Sequence, residues 1–477
     1  MISDKINLKI NPTLLVNLTF CFLPISFIFG NLITNINTLL LCVLGIFHLK
    51  SKILEIKFDR TIKIIFLFFL VIFFSTSLSF LKSFYLEGYE HSNFIRLIKS
   101  ITFFRFFLML IVIYLLNKFD ILNIKYFFIS TSFAVGLVSF DIIYQYIFSF
   151  NLIGLESYGH HNTSFFGDEY IAGGFVQNFS FFLILLLAFT LKNKTKTRFI
   201  LTTISICFLA SSILLSGNRM PLILFLFGLF LLFLLNKELR KIILVALISF
   251  FILLQFIIYF DPHFKNSYKS LYSNIDGVYS GFINPYKTKE AIEKKDKLEE
   301  KNLTVQKKKK DYSFPLYSEK IYLINISPSP HIRLFLTAID TWKKNIIFGN
   351  GIKSFRVDCS KLQSLEYNLS EDVMKFKKNR LCSNHPHNYY LEILTETGIV
   401  GLFIFLILGL LFIFFILKNL KVFKKNNIEN FILLASTISL ILEIIPFKVS
   451  GSIFTTNNTT YIILLLAIIL SYRKLVN

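Results

Sequence analysis

The sequence is short of polar residues for a chain of 477 residues. Apolar and aromatic residues make up 54% of it and charged residues only 17%, and the mean hydropathy is +0.62. A soluble protein would have too little polar surface to cover so much apolar side chain. The composition therefore excludes an ordinary soluble protein, and the apolar stretches that recur along the whole length indicate a polytopic membrane protein.

Carboxylates are also scarce: 29 Asp and Glu stand against 51 Lys and Arg, which gives a formal net charge of +22. The accompanying excess of Lys, Asn, Ile and Phe is typical of an AT-rich genome, so the charge alone does not establish an anionic partner. The sequence has no nucleic-acid recognition motif and no basic-aromatic surface outside the apolar runs, which argues against a nucleic-acid partner. His160 and His161 have no suitably spaced partner ligands, so we expect no metal site.

Apolar runs of spanning length predict an all-α integral membrane protein with about twelve transmembrane helices of roughly 20 residues each. No small-x-small cleavage site follows the first run, so we expect it to be a retained span rather than a cleaved signal peptide. The runs are 13–30, 32–48, 62–81, 100–117, 126–150, 171–191, 199–216, 220–235, 241–260, 399–418, 429–447 and 459–472.

The distribution of basic residues predicts the topology. With the N-terminus inside, the inner segments carry 22 Lys and Arg and the short outer segments carry 5. This is the bias that the positive-inside rule describes, and it places both termini in the cytoplasm. The chain then divides into spans 1–9 (1–260), a large periplasmic segment (261–386) and spans 10–12 (387–477).

The large outer segment contains a charge-rich run, 287–311, with almost no apolar residues. Such a block is usually a solvated or flexible stretch. The alternative is a basic surface for lipid phosphates or anionic glycan. From Ile321 onward apolar residues return at helical spacing, so we expect this half of the segment to be folded.

The five cysteines fall into two groups. Three lie inside spans and are interpreted as small apolar packing residues: Cys21, Cys42 and Cys207. Cys359 and Cys382 both lie in the long outer segment. In an oxidising periplasm a disulfide between them is expected, and two free thiols are the alternative.

The most informative stretch runs from His385 to Gly401, where polar groups meet the apolar run that follows. Polar groups at the mouth of a membrane span are costly and therefore usually functional. An imidazole at His387 can take a proton from a hydroxyl group. Asn388 would either orient a substrate or cap the following helix. A lone histidine at such an interface would more often have a packing role.

Two arginines are further candidates. Arg219, in Leu215-Ser216-Gly217-Asn218-Arg219, lies between two apolar runs at the outer face, where a guanidinium can bind a diphosphate bidentately. Arg333 opens a predicted helix that leads into Phe348-Gly349-Asn350-Gly351, whose glycines suit a tight turn. The alternatives are a tolerated loop cation for Arg219 and an exposed helix-surface residue for Arg333.

A fourth segment, Ser164 to Gly174, enters the sixth span from outside and contains Asp168 and Glu169. These carboxylates could bind sugar hydroxyls. More often such residues are helix-start residues that the helix dipole favours.

The form H-x-H-N-x-x-L-E-x-L-x-E-x-G-x-x-G over 385–401 resembles the signature of the O-antigen ligase and polymerase superfamily. The two arginines, the F-x-G-D-E-x-x-A-G form at 165–173 and the large outer loop after the ninth span also resemble its landmarks. The family pattern selects the histidine before Asn, His387, over His385.

The resemblance implies a glycosyltransferase of the inner membrane with a periplasmic active site, taking glycan from undecaprenyl diphosphate. His387 would deprotonate the acceptor hydroxyl, while Arg219 and Arg333 would bind the diphosphate; Asn388, His385, Asp168 and Glu169 would contact substrate. Because a diphosphate is a good leaving group, no metal or other cofactor is expected. We favour a ligase acting on lipid A-core, then a polymerase or a protein O-oligosaccharyltransferase.

A polysaccharide transporter or flippase is the alternative from another class, since about twelve spans suit many transporters. Transporters usually show repeated halves and charged residues at mid-membrane. Here the long outer segment is placed asymmetrically and the distinctive polar groups gather at the outer face, which favours the enzyme.

Overall fold

The computed structural model describes residues 11–55, 58–86, 91–158, 160–261, 266, 330–364, 381–425, 427–448 and 451–472. Over these residues the chain is helical, and β-structure there is limited to two isolated bridges within 150–161. The predicted all-α fold is thereby confirmed. The charged run 287–311 and most of the segment 261–386 lie outside the described residues, so the predictions about them stay predictions.

Helices account for most of the described residues. They are α1 (Pro12–Ser26), α2 (Asn31–Leu49), α3 (Arg60–Leu86), α4 (His91–Lys118), α5 (Ile124–Phe148), α6 (Ala172–Thr190), α7 (Thr195–Leu215), α8 (Arg219–Leu235), α9 (Arg240–Phe260), α10 (Pro330–Trp342), α11 (Phe355–Ser364), α12 (Tyr389–Asn419), α13 (Ile428–Ile444) and α14 (Thr456–Ser471).

Eight helices of the described chain are long and apolar enough to cross a membrane, and each coincides with a predicted span. They are α2 to α7, α9 and α12. The remaining four predicted spans correspond to α1, α8, α13 and α14, which have 17 residues or fewer. A multi-pass membrane protein is therefore supported, while the count of twelve spans stays a prediction.

The outer faces of the helices carry large exposed apolar side chains. Leu32, Phe47, Leu410 and Phe414 expose between 65% and 73% of their surface. Exposed apolar surface on this scale is typical of a protein whose helices face lipid. Inside the bundle, α6 packs on α5, α7 and α13, whereas α3 packs on α4 and α12.

Because successive helices run in opposite directions, the end of α3 and the start of α4 lie at the same end of the bundle as the starts of α8, α12 and α14. We call this the site end. Hydrogen bonds join its loops: Lys82 Nζ donates to Asn345 Oδ1 at 3.0 Å, and Asn388 Nδ2 donates to the Pro446 carbonyl at 2.7 Å.

Helix α12 breaks at Gly398, where the backbone takes φ 68° and ψ −167°. The loop after α10 docks into this break: Ile399 N donates to Ile346 O at 3.0 Å and Gly351 N donates to Glu396 O at 2.9 Å. A Cβ at Gly349, which has φ 70°, would lie 2.5 Å from the Glu396 carbonyl carbon. Both glycines are required here because two backbones meet without room for side chains.

Candidate functional site

His387 lies at the entry to α12, in a left-handed backbone conformation with φ 59°. Its ring centroid is 4.2 Å from that of His385 and 5.8 Å from that of His331. His331 belongs to α10, so this contact brings a separate helix against the histidine pair. Three imidazoles are thus collected in one place.

Asn388 caps α12. Its Oδ1 accepts from Tyr390 N at 3.0 Å and from Leu391 N at 3.1 Å, which satisfies two free N–H groups of the first turn. Its Nδ2 donates to the Pro446 carbonyl. Both polar atoms of the side chain are therefore engaged within the protein, and the capping role that the sequence left open is the one observed.

Beside this cap lies a buried polar network that sequence reasoning missed. Glu443, at the end of α13 and only 2% exposed, accepts from the Tyr389 hydroxyl and pairs with the Lys448 ammonium, each at 2.5 Å. The sequence did contain a sign of this network: Glu443 is a carboxylate within the apolar run 429–447, and such residues usually have a partner and a role.

Arg333 lies on α10, two residues after His331. The helix is tied to the histidine segment by a hydrogen bond from Leu381 N to Thr337 Oγ1 at 3.2 Å. Partial burial lowers the pKa of His331. The structure therefore places the guanidinium-bearing helix directly against the segment that holds His387.

A small apolar core supports this arrangement. It joins α10, α11 and the start of α12, and a disulfide between Cys359 and Cys382 crosses it with a Cα–Cα distance of 5.5 Å. The bond fastens α11 to the residues just before His385. The core consists of Leu334, Ala338, Phe355 and Cys359, with Leu381, Cys382 and Leu391 packed against it.

Arg219 is the first residue of α8. The turn before it lies against a different loop: a Cβ at Gly217 would be 2.6 Å from the His160 carbonyl oxygen, and Asn218 Nδ2 donates to the Tyr170 carbonyl at 2.6 Å. The turn before Arg219 therefore contacts the loop 149–171, whereas Arg333 lies on the helix whose His331 contacts His387.

Asp168 and Glu169 lie in that same loop. Both are exposed, in the turn between the 3-10 helix Ser164–Phe166 and α6, which begins only at Ala172. They precede the first turn of α6, so the helix-start interpretation does not describe them. The loop itself is fixed by Asp141, which accepts from Ser164 Oγ at 2.6 Å and from Leu152 N at 2.8 Å.

A further group of charges lies beside the break in α12. Glu396 is 1% exposed, and its Oε2 accepts from Lys353 N at 2.6 Å. Glu392, 2% exposed, accepts from Ile453 N at 2.8 Å. Both carboxylates thus hold backbone N–H groups of neighbouring loops. Within the described residues, no cluster of three His, Cys, Asp or Glu is arranged to hold a metal ion.

Comparison with known proteins gives one family. Residues 204–406 match the model of the O-antigen ligase family. The match includes Arg219, Arg333, His385, His387 and Asn388, and ends before Glu443. No curated protein matches the chain. The family match confirms the resemblance seen in the sequence: residues 204–406 are similar to the O-antigen ligase domain.

Proposed function

We propose that this protein is a member of the O-antigen ligase and polymerase superfamily and acts as a lipid-carrier-dependent glycosyltransferase of the bacterial inner membrane. It takes glycan from undecaprenyl diphosphate and joins it to a hydroxyl of an acceptor glycolipid, with lipid A-core as the acceptor. The active site faces the periplasm. The family match supports the ligase or polymerase class, and the choice of acceptor is our proposal.

The placement of His387 carries the proposal. The residue is held by the Asn388 cap on one side and by the disulfide-linked segment on the other, so its imidazole is positioned rather than free to rotate with a loop. Preorganised groups of this kind are what a general base requires. His387 accepts the proton of the acceptor hydroxyl as that oxygen attacks the anomeric carbon of the donor sugar.

The bond that breaks joins the anomeric carbon to the carrier diphosphate. The diphosphate leaves with the electron pair, so the displacement inverts the anomeric centre and negative charge grows on the phosphate oxygens. Fixed cations there stabilise the transition state more than the ground state. Arg219 and Arg333 supply them in this proposal. Arg219 has the added advantage of opening α8, because a helix N-terminus favours anions.

The remaining predicted residues have supporting roles. Both polar atoms of the Asn388 side chain are hydrogen-bonded within the protein, so we assign it the role of fixing the backbone next to His387. His385, whose ring lies 4.2 Å from that of His387, and the exposed Asp168 and Glu169 are proposed to contact sugar hydroxyls. A diphosphate is a good leaving group, so the chemistry needs no nucleotide or metal.

The test uses the full-length protein in proteoliposomes, with carrier-linked glycan and lipid A-core. Wild type should transfer glycan to lipid A-core. His387→Ala should lose transfer by roughly 10²–10⁴-fold, the effect of removing a positioned base. Donor binding should persist, and His385→Ala should lose much less. The pH–rate profile of wild type should rise as an imidazole becomes neutral, and this limb should be absent from the residual activity of His387→Ala.

The outcomes separate the alternatives. Lengthening of glycan on its carrier without transfer to lipid A-core would replace the ligase by a polymerase. Transfer by His387→Ala at the wild-type rate, with His385→Ala inactive, would move the base to His385. Full function in both variants would make the motif structural and favour a transporter.

A further inference from the structure

The loop between α10 and α11 is held rigidly at the site end. Its Asn350 N donates to Thr395 O at 3.0 Å, and Ile352 N donates to Thr76 Oγ1 at 3.0 Å. Two residues before α11 begins, Lys353 takes φ 57°, and its backbone N–H donates to the carboxylate of Glu396. The loop therefore sits between α3 and α12 with its backbone fixed on both sides.

This arrangement leaves the ammonium of Lys353 available. The buried carboxylate of Glu396 accepts from the Lys353 backbone N–H, and within the described residues no carboxylate oxygen forms an ion pair with the Lys353 Nζ. Burial lowers the pKa of Lys353, and the nearby cations Arg356 and Lys99 lower it further, against the smaller opposing effects of Glu396 and Glu392. Each of these two neighbouring cations thus affects Lys353 more than either carboxylate does.

Arg96 adds a fourth cation. It lies on the first turns of α4, and its guanidinium donates to the Asn350 carbonyl at 3.4 Å. Lys99 follows one turn later on α4, and Arg356 is exposed at the start of α11. We call these four residues, Arg96, Lys99, Lys353 and Arg356, the basic cluster.

The cluster runs against the charge distribution of the chain. The short segments assigned to the outer face contain only five basic residues, and three of them lie against this one loop: Lys82, Arg96 and Lys99. Topology selects against cations on this side, so their concentration at one place is not explained by topology. Within the described residues none of the four cations forms an ion pair with a carboxylate. Such cations bind phosphate well, and arginine does so bidentately.

The cluster is connected to the histidines. Arg356 lies one helical turn before Cys359, whose disulfide to Cys382 fastens α11 to the segment that ends in His385 and His387. It is separate from Arg219 and Arg333, which the proposed function assigns to the donor diphosphate.

We propose that the basic cluster binds a phosphate group of the acceptor lipid and so fixes the acceptor beside His387. The proposal rests on the proposed function. Phosphate on an acceptor glycolipid and phosphate of a bilayer phospholipid offer the same chemistry, so the experiment must distinguish these two sources.

The test compares Lys353→Gln/Arg356→Gln with Lys343→Gln/Lys344→Gln. The control pair lies at the end of α10, outside the cluster, and removes the same charge; Lys343 is 64% exposed and its Nζ is 3.8 Å from Asp340. Gln at position 353 keeps the backbone N–H group that donates a hydrogen bond to the Glu396 carboxylate. The cluster variant should raise the KM for lipid A-core at least about tenfold, the loss typical of one charge-assisted hydrogen bond. Its KM for carrier-linked glycan should be unchanged, as should both KM values of the control variant.

A binding measurement on purified protein in detergent gives a readout independent of transfer. Three probes are used: lipid A-core, the same lipid after phosphatase treatment, and phosphatidylglycerol. Wild type should bind lipid A-core more tightly than its dephosphorylated form, and the cluster variant should bind both equally. If the variant loses only phosphatidylglycerol binding, the acceptor assignment is wrong and the ligand is a phospholipid headgroup. If the variant binds all three probes as wild type does, the cluster is not a phosphate site, whatever the result with His387→Ala.

Discussion

The carboxylate of Glu443, at the end of α13, accepts a hydrogen bond from the hydroxyl of Tyr389, the first residue of α12, across 2.5 Å. The same carboxylate pairs with the ammonium of Lys448. Tyr389 directly follows Asn388, whose amide donates to the Pro446 carbonyl between Glu443 and Lys448. The start of the histidine-bearing helix is therefore fastened to the end of α13 by two side chains in succession.

Removing Glu443 should destabilise the protein strongly. In Glu443→Ala the Lys448 ammonium, whose side chain is 14% exposed, loses its partner, and breaking a buried pair costs about 3–5 kcal/mol. Denaturant unfolding of purified protein in detergent measures the loss. Asp340→Ala, which breaks the more exposed pair with Lys343, is the control and should change stability by about 0–1 kcal/mol. Equal losses in the two variants would show that the Glu443 network does not support the fold.

The break in α12 should tolerate no side chain. At Gly398 an added Cβ would lie 2.2 Å from the Ile347 carbonyl oxygen, and the backbone conformation alone costs other residues about 1–3 kcal/mol. Gly398→Ala should therefore lower the yield of folded protein and its unfolding free energy. Gly409→Ala, in the same helix with open space around it, should be neutral or stabilising by up to about 1 kcal/mol. Similar behaviour of both variants would contradict the tight docking of the loop.

The bond between Cys359 and Cys382 should be detectable chemically. Thiol labelling of denatured, unreduced protein should modify Cys21, Cys42 and Cys207 and miss these two, and reduction should expose both. Cys359→Ser/Cys382→Ser should reduce transfer, because the bond fastens α11 to the segment that carries His387. Labelling of all five thiols without reductant would contradict the disulfide.

The two arginines should not be replaceable by lysine. Arg219→Lys and Arg333→Lys keep the charge but lose the planar fork that binds a diphosphate. We expect each to lower kcat/KM for the carrier-linked donor at least about tenfold, with normal protein levels. The control is Arg198→Lys, since Arg198 pairs with Glu238 at the opposite end of the bundle and should retain transfer. Near-normal transfer by both variants would show that neither arginine needs to bind the diphosphate bidentately.

The topology should be testable at two exposed positions. In a background in which Ser replaces the three free cysteines, a cysteine at Ile153, which is 65% exposed in the loop after α5, should react with a membrane-impermeant maleimide in intact spheroplasts. A cysteine at Lys194, exposed between α6 and α7, should react only after the membrane is opened. The reverse pattern would invert the membrane orientation predicted from the basic residues.

The sequence by itself determined the all-α membrane fold and the approximate position of the helices that coincide with apolar runs, because the length and composition of such runs are local properties. It also identified the histidine motif and the cysteine pair. It left open whether Asn388 contacts substrate or caps α12, and it did not reveal the hydrogen bond from Asn388 to the Pro446 carbonyl. It also did not reveal that Asp168 and Glu169 precede α6 rather than begin it.

Only the tertiary structure decided which distant residues meet. His331 lies beside His387, Glu443 beside Tyr389, and Lys353 beside Arg356 and the first turns of α4. Apart from Lys353 and Arg356, which are close in sequence, these partners come from distant parts of the chain. Their approach depends on how the helices pack and on a backbone contact between Gly349 and Gly398 that leaves no room for side chains. Packing of this kind is a property of the whole bundle, so no local pattern in the sequence specifies it.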